Sequence, residues 1–289
     1  MIIVRLSGGL GNQMFQYALG RSLSIKNSEE VKFDNLDYRT YKLHDYSLNV
    51  FLLKIDLAKK KEAADLRYAK AGFIERLLNK ILKKNRKNTC SYYAEKSLKF
   101  DFGVMELKGN RYLDGYWHSE KYFADIKDII RSDFRLRHEM NSANRAVHEK
   151  IMSCNSVSYH IRRGDYVSDP KTKAYHGVDL KQYYKEAAGI IKSRVDNPHF
   201  FMFSDEPEWV KENFKGEFEM TIVDCNTGRN GYDDMRLMSA CKHNIIANSS
   251  FSWWGAWLNP NTDKIVTAPK NWFKDASIDT SDLIPETWI

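Results

Sequence analysis

The second half of the chain predicts an α/β fold with a parallel, doubly wound sheet. Runs rich in β-branched and aromatic residues alternate with segments of helical length, and polar clusters follow three of these runs. Strands that alternate with helices in this way form parallel sheets covered by helices. The predicted strands are 156–161, 199–204, 220–224, 244–247 and 264–267, and the predicted helices are 180–194, 206–214, 232–241 and 251–258.

The first half opens in the same order. An apolar strand at 2–6 runs into the glycine turn 7–11, and Asn12 is placed to cap a helix at 13–26 before a second strand at 31–34. A strand at 112–117 and helices at 120–131 and 139–152 follow. The polar run after residue 152 predicts a boundary between two domains, 1–153 and 154–289.

Composition and charge narrow the class of protein. The 289 residues are 43% hydrophobic, with a net charge of +7, which suits an anionic partner or serves solubility alone. Nucleic-acid binding is a competing interpretation of the charge. The basic residues of 59–87 lack the interleaved stacking aromatic residues of such proteins, and no RNP-type or zinc motif is present, so we expect no nucleic-acid partner.

The sequence also bears on cellular location. It has no pattern of a signal peptide, and no run of roughly 18 apolar residues that would span a membrane. Its four cysteines form no C-x-x-C pair and lie mostly in apolar segments, as expected in a reducing compartment. We therefore expect a cytoplasmic protein.

Residues 59–87 form a basic helical region whose apolar stripe lies at 73–82. A helix that packs on the protein and leaves its charged face in solvent is one interpretation. A helix at 73–87 that lies on the inner membrane, where it meets a lipid-linked acceptor, is the other.

The run His160-Ile161-Arg162-Arg163-Gly164-Asp165-Tyr166 carries the strongest chemical signal. Arginine offers a planar fork of donors that stays charged, so Arg162 and Arg163 after a strand suit a diphosphate. Asp165 supplies a carboxylate beside that anion site and is the candidate base. The alternative is a surface turn with a local salt bridge.

Two other polar clusters follow predicted strands, where ligands of such sheets bind. Asp205 can accept hydrogen bonds from guanine or a ribose, or Ser204 and Asp205 can cap the next helix. Asn248, Ser249 and Ser250 precede a helix, whose free N–H groups suit a phosphate; capping is again the alternative.

Two further features bear on ligand binding: the glycines of the N-terminal turn, and the motifs that would bind a metal ion. Gly11 and its neighbouring glycines let a backbone approach a ligand closely, although a simple tight turn explains them too. No D-x-D triplet and no zinc-type histidine spacing occurs, and Arg162 with Arg163 can neutralise a diphosphate. We therefore expect no essential metal and no cofactor.

Three segments together resemble the α-1,2-fucosyltransferases of glycosyltransferase family 11. They are residues 7–18 (SGGLGNQMFQYA), 160–166 (HIRRGDY) and 248–258 (NSSFSWWGAWL), in the family's order. Residues 232–235 (YDDM), leading into 241–246 (CKHNII), look typical of the bacterial branch.

The resemblance implies a glycosyltransferase B fold, with two Rossmann-like domains that face each other across a cleft. It implies an acceptor-side domain at 1–153 and a GDP-fucose-binding domain at 154–289. GDP-fucose would be a co-substrate, and a terminal galactose of an oligosaccharide or lipid-linked glycan would accept fucose on its 2-hydroxyl.

The resemblance also assigns residues. Arg162 and Arg163 match positions that hold the diphosphate, and His160 and Asp205 match positions that face guanine. The phosphate-binding turn corresponds to Ser249, Ser250 and Phe251, with Asn248 before it, and Asn12 beside Gly11 matches a donor-proximal position.

The implied reaction inverts the anomeric carbon, with Asp165 as base. A structural role for Asp165 and proton uptake by the leaving phosphate are the alternatives. A transferase of another GDP-sugar, such as GDP-mannose, and a sugar-binding module without turnover are competing functions. The paired arginines disfavour the latter, because neutral glycans need no diphosphate clamp.

Overall fold

A computed structural model describes residues 1–40, 43–68, 91–214, 216–226 and 228–289, without the side chains of Asp165, Lys171 and Arg229. The chain divides into two compact units. Unit 1 comprises Met1–Arg137 with Ser281–Leu283, and unit 2 comprises His138–Thr280 with Ile284–Ile289.

Unit 1 is built on a parallel sheet of four strands in the order β2-β1-β4-β3. Its strands are β1 Ile2–Arg5, β2 Val31–Asp34, β3 Tyr92–Ala94 and β4 Arg111–Asp114. Its α-helices are α1 Leu10–Asn27, α2 Lys60–Arg67, α3 Phe102–Met105 and α4 Lys127–Asp133. Short 3-10 helices lie at Leu36–Arg39, Leu48–Val50, Glu120–Tyr122 and Ala124–Ile126.

Helices cover both faces of this sheet. Ile3 and Tyr112 share a core with Ala63 and Leu66 of α2. On the other face α1 packs closely on β2, where a Cβ at Gly20 would lie 2.8 Å from the ring of Phe33. The successive apolar side chains of the central strand β1, Ile2, Ile3 and Val4, are therefore buried on both faces of the sheet.

Unit 2 carries a parallel sheet of five strands in the order β7-β6-β5-β8-β9. The strands are β5 Asn155–Ile161, β6 Pro198–Ser204, β7 Met220–Val223, β8 His243–Ile245 and β9 Val266–Thr267. The α-helices are α5 Ser142–Met152, α6 Gly164–Ser168, α7 Pro170–His176, α8 Lys181–Arg194, α9 Pro207–Asn213, α10 Tyr232–Ala240 and α11 Ser250–Leu258. A 3-10 helix lies at Gly228–Asn230.

Strand β6 shows why this sheet is doubly wound. Phe200 and Met202 pack in one core with α8, whereas Phe201 and Phe203 pack in a second core with α10. A strand whose successive side chains are all apolar must bury both faces, and helices on both sides do so. The predicted α/β fold with parallel sheets is confirmed.

Several predicted boundaries need correction. The division falls after Arg137, not near 153, because Ile151 of α5 packs into the core of unit 2. Asn12 does not cap α1, since the helix begins at Leu10 with Gly9 as its N-cap. The predicted helix 120–131 is broken into two 3-10 turns before α4.

Strand β4 ends at Asp114, three residues earlier than predicted, because the chain turns at Trp117 with a φ of 60°. The sequence analysis did not predict α3, α6, α7 or β3. Asp169 followed by Pro170 was an available signal for α7, since Asp169 accepts the N–H of Thr172 and Pro170 occupies the first turn.

The structure also bears on membrane contact. Among the described residues, no helix has both the length and the apolar character needed to cross a membrane. The predicted apolar stripe at 73–82, and the membrane-surface helix at 73–87, lie outside the described residues. Peripheral membrane contact therefore stays a prediction.

Candidate functional site

The candidate site lies at the carboxyl edge of the sheet of unit 2. Strand β5 lies between β6 and β8, and Ile161 pairs with Ser204 at the last register position. The loops that follow these three strands carry Arg162 with Arg163, Asp205, and Asn248 with Ser249. The predicted convergence of three polar clusters at one sheet edge is confirmed.

Asp205 ties the first two loops together. One carboxylate oxygen, Oδ1, accepts the backbone N–H of Arg163 at 2.9 Å, and Oδ2 lies 3.0 Å from Nη1 of Arg162. A Cβ on Gly164 would collide with Oδ2, so the glycine after the arginine pair leaves the space that Asp205 fills. The hydroxyl of Ser204, not Asp205, accepts the N–H of Glu206.

The two arginines differ in their surroundings. Arg163 donates from Nε to Glu206 at 2.8 Å, and its guanidinium lies 3.8 Å from the ring centroid of Trp209. Arg162 lies on Asp205 and 5.6 Å from the ring of Tyr166, with 28% of its side chain exposed. Arg163 therefore lies between an acid and an aromatic ring, and Arg162 is paired with Asp205.

His160 is buried at the end of β5, with 5% of its surface exposed. Burial and the positive charge of Arg162 lower the pKa of His160 to about 3, so the imidazole is neutral at physiological pH. Within the described residues, its Nδ1 has no hydrogen-bond partner. A buried polar atom in this state gains free energy when a complementary hydrogen-bonding atom of a ligand reaches it.

The start of α11 serves both structure and the candidate site. Ser249 is the N-cap, and its hydroxyl accepts the N–H of Phe251 at 3.3 Å. Ser250 is the first helical residue and is half-buried, and the ring of Phe251 lies 6.0 Å from that of His160. The capping alternative is thus seen at Ser249, whereas Trp253, Trp254 and Trp257 are buried as predicted.

Asn248 anchors the loop before α11. Its side-chain amide donates to the carbonyls of His176 and Trp272, each at 3.0 Å. Its own carbonyl accepts the hydroxyl of Tyr166, whose ring stacks on His176. The Asn248 amide is therefore engaged in fixing α6, α7 and the loop at Trp272 around the sheet edge.

Sequence reasoning missed several of these supporting residues. Trp209, His176 and Trp272 lie in no short motif. Glu206 and Tyr166 each lie in a polar cluster singled out from the sequence, but neither was given a role. Among them, only His176 had an available signal, the Asp169–Pro170 start of α7.

The remaining predicted site residues lie elsewhere or are only partly described. Asp165 lies in α6, but its side chain is outside the described part of the chain. Gly11 and Asn12 lie in the first turn of α1 in unit 1, where Asn12 Oδ1 lies 3.0 Å from Nε2 of His118. Within the described ranges no group of three or more acidic, histidine or cysteine side chains could hold a metal ion.

Comparison with known proteins decides the family. The model of glycosyl transferase family 11 matches residues 1–289. The chain belongs to glycosyl transferase family 11.

Relatives of this family 11 chain carry related names. An alpha-1,2-colitosyltransferase of Escherichia coli is 38% identical and covers 100% of this chain and 98% of its own. The O-antigen biosynthesis glycosyltransferase WbnK of Escherichia coli is 32% identical and covers 98% of both. A galactoside alpha-(1,2)-fucosyltransferase 1 of Lagothrix lagotricha is 28% identical over 55% of this chain and 44% of its own.

The fold of this chain is also similar to those of solved structures. The fucosyltransferase NodZ from Bradyrhizobium superposes with a TM-score of 0.52 at 15% identity, over 88% of this chain and 91% of that one. A NodZ structure soaked with GDP-fucose gives the same TM-score at 16% identity, over 90% and 92%. The family 11 chain therefore shares the α/β architecture of a fucosyltransferase.

Proposed function

We propose that this glycosyltransferase moves L-fucose from GDP-β-L-fucose to the 2-hydroxyl of a terminal β-galactose, in the synthesis of a glycan or O-antigen. The observation that carries the proposal is the pairing of Arg162 with Asp205 at the sheet edge, beside the start of α11. That arrangement offers a guanidinium and helix N–H groups to a diphosphate. The family and the α-1,2 linkage in the names of its relatives support the sugar and the bond.

Donor binding follows from these groups. Arg162 neutralises the diphosphate while Asp205 fixes its side chain, and the N–H groups near Ser250 add donors. His160 is neutral, so it contributes a hydrogen bond through its unpartnered Nδ1 to the nucleotide rather than a charge. Arg163 supports the site through Glu206 and Trp209.

The proposed reaction is a single displacement. The bond between the anomeric carbon and the β-phosphate oxygen breaks, and the galactose 2-oxygen forms an α-linkage on the opposite face. Negative charge grows on the leaving GDP, where Arg162 stabilises it more in the transition state than in the bound donor. Asp165 takes the hydroxyl proton in this proposal, and proton uptake by the leaving phosphate is the alternative.

A second candidate is transfer of colitose. The identity of 38% over the whole chain to an alpha-1,2-colitosyltransferase favours it. Colitose is L-fucose without its 3-hydroxyl, so the two donors differ by one polar group. GDP-mannose remains the more distant alternative.

The decisive experiment measures GDP release from GDP-fucose, GDP-colitose and GDP-mannose, with and without lactose, in the presence of EDTA. Lactose-dependent release from GDP-fucose in EDTA is the expected result and would also support metal independence. Preference for GDP-colitose would establish the second candidate. No GDP release from any of the three donors with lactose or other β-galactosides, in EDTA or with Mg²⁺ added, would overturn the proposal.

The cytoplasmic location and a lipid-linked acceptor belong to the same proposal. The apolar stripe at 73–82, followed by basic residues to 87, suits a membrane surface. Co-sedimentation of the protein with anionic vesicles tests this contact. Protein that stays in the supernatant at physiological salt would exclude it.

A further inference from the structure

Unit 1 contains a pocket whose lining includes none of the predicted site residues. It has a volume of about 190 Å³ and lies at the carboxyl edge of the unit 1 sheet, where the chain leaves β1 and β4. Ligand sites for drug-sized molecules span about 300–1,000 Å³. The pocket is therefore too small for a nucleotide sugar and suits a single sugar ring.

The polar wall of the pocket is a preorganised ion triad. Arg5 lies 2.7 Å from Asp37 through Nη2 and 2.8 Å from Asp114 through Nη1. The hydroxyl of Tyr92 donates to the other oxygen of Asp114. Burial alone would lower the pKa of Arg5, but the two carboxylates raise it above its usual value, so the guanidinium is charged at any working pH.

The charge of this wall selects the class of ligand. One guanidinium and two carboxylates give the lining a net charge of −1, which repels a diphosphate. Sugar hydroxyls both donate and accept hydrogen bonds, so they can use carboxylate acceptors and guanidinium donors together. The exposed fractions are 28% for Arg5 and 44% for Asp37, which leaves both side chains reachable.

Aromatic residues complete the pocket. Tyr116 is 43% exposed, and its ring stacks on His118 at 5.3 Å. Tyr38 is fixed by its hydroxyl, which donates to the carbonyl of Gly8 at 2.6 Å. Aromatic faces with a polar edge suit the apolar face of a pyranose ring beside its hydroxyls.

The turn that presents Tyr116 is rigid. Glu95 accepts the backbone N–H groups of Tyr116 at 2.7 Å and Trp117 at 2.9 Å. Trp117 is fully buried with a φ of 60°, and a Cβ on Gly115 would lie 2.8 Å from its ring. A strained backbone held by a carboxylate is typical of a binding site built in advance of its ligand.

We infer that this pocket binds a neutral hexose of the acceptor glycan, through Arg5, Asp37, Asp114 and the rings of Tyr116 and Tyr38. The inference rests on the proposed function for the identity of that sugar, a β-galactoside. Unit 1 thus holds the acceptor through an acidic and aromatic pocket, whereas the arginines of unit 2 hold the donor.

The test is direct binding without a donor. Saturation-transfer NMR with methyl β-galactoside and lactose measures sugar binding by the wild type, Asp37→Asn, Tyr116→Ala and Tyr116→Phe, and calorimetry measures GDP binding by the same proteins. We expect Asp37→Asn and Tyr116→Ala to weaken sugar binding at least 10-fold, Tyr116→Phe to weaken it less, and the Kd for GDP to stay unchanged. Asp125→Asn, an exposed carboxylate of unit 1 outside the pocket, is the matched control.

Each outcome is informative. A wild type that binds neither galactoside, or pocket variants that bind as the wild type does, would overturn the inference. An equal loss of GDP and sugar binding in folded variants would also overturn it. Intact galactoside binding without any GDP binding would leave the pocket standing and reject the proposed transferase reaction instead. Thermal unfolding of each variant separates lost binding from lost folding, and Asp37→Asn, at a side chain that is 44% exposed, keeps the test valid if Tyr116→Ala does not fold.

Discussion

Asp205 holds Arg162 at 3.0 Å with one carboxylate oxygen while the other binds the backbone of the next residue. A single acid thus fixes both the side chain and the loop of the proposed diphosphate site. The direction of the guanidinium is set before a donor arrives, which reduces the entropy lost on binding. The pair also explains why a glycine follows the arginines, because Asp205 occupies the space of its side chain.

Asp205→Asn should lower activity by weakening this restraint. The amide can still accept the backbone N–H but loses the ion pair with Arg162, so we expect kcat/KM to fall about 10- to 100-fold, or about 1.4 to 2.7 kcal/mol. Steady-state kinetics of GDP release measure this. Glu208→Gln is the matched control, because Glu208 is an exposed acid on α9 whose pair is with Lys211. Equal activity of Asp205→Asn and wild type would show that the reaction does not require Asp205 to orient the Arg162 guanidinium.

Gly164→Ala should displace Asp205 and cost both stability and activity. The added Cβ collides with the Asp205 carboxylate, so the loop must shift or the ion pair must break. We expect a loss of about 1–3 kcal/mol in unfolding free energy, the range for overpacking, and a fall in kcat. Denaturant unfolding and kinetics measure the two effects.

Gly189→Ala is the control for that substitution. Gly189 lies within α8 and a Cβ there meets nothing within 4 Å. Alanine should therefore stabilise the helix by up to about 1 kcal/mol and leave kcat unchanged. Stabilisation by Gly164→Ala as well would mean that its neighbour Asp205 moves freely.

Lysine substitutions should separate the roles of the two arginines. Arg163 stacks on Trp209 and binds Glu206, so Arg163→Lys should lower the melting temperature. Arg162→Lys keeps the charge but loses the planar fork, so it should lower kcat more than it raises the Kd for GDP. Thermal unfolding, calorimetry and kinetics of both variants test this division. A larger kcat loss in Arg163→Lys would reverse the assignment.

Asp234 should make stability fall as pH rises. The pKa of Asp234 is raised to about 7, mainly because the carboxyl group is buried. The hydrogen bond from Asn226 lowers this pKa, and the negative charge of Asp233 raises it further. The unfolded value is near 3.9, so the folded state binds the proton more tightly. The resulting stabilisation is complete below about pH 4 and is lost as pH rises towards 7.

Asp234→Asn removes this ionisation, and its amide oxygen can still accept from Asn226. The variant should match the wild type near pH 4 and be more stable at pH 8. Urea unfolding of both proteins across this range gives the difference. A constant difference between them at all pH values would show that Asp234 ionises normally in the folded state.

The sequence by itself determined the family, the parallel α/β architecture and the edge of the sheet where the site lies. Each rests on local or periodic signals: three motifs, alternating strands and helices, and polar residues at strand ends. Strand β2 was predicted at its observed bounds because the alternation of apolar and charged residues in Val-Lys-Phe-Asp is a local property.

Only the tertiary structure decided which partner each site residue has. Asp205 faces Arg162 across more than 40 residues of chain, and Asn248 reaches the carbonyl of His176 across 72. The same holds for the Arg5 triad, in which Arg5 ends β1, Asp114 ends β4 and Asp37 follows β2. Hydrogen bonds and ion pairs between distant segments depend on strand order and loop path, and no periodicity in a single sequence encodes them.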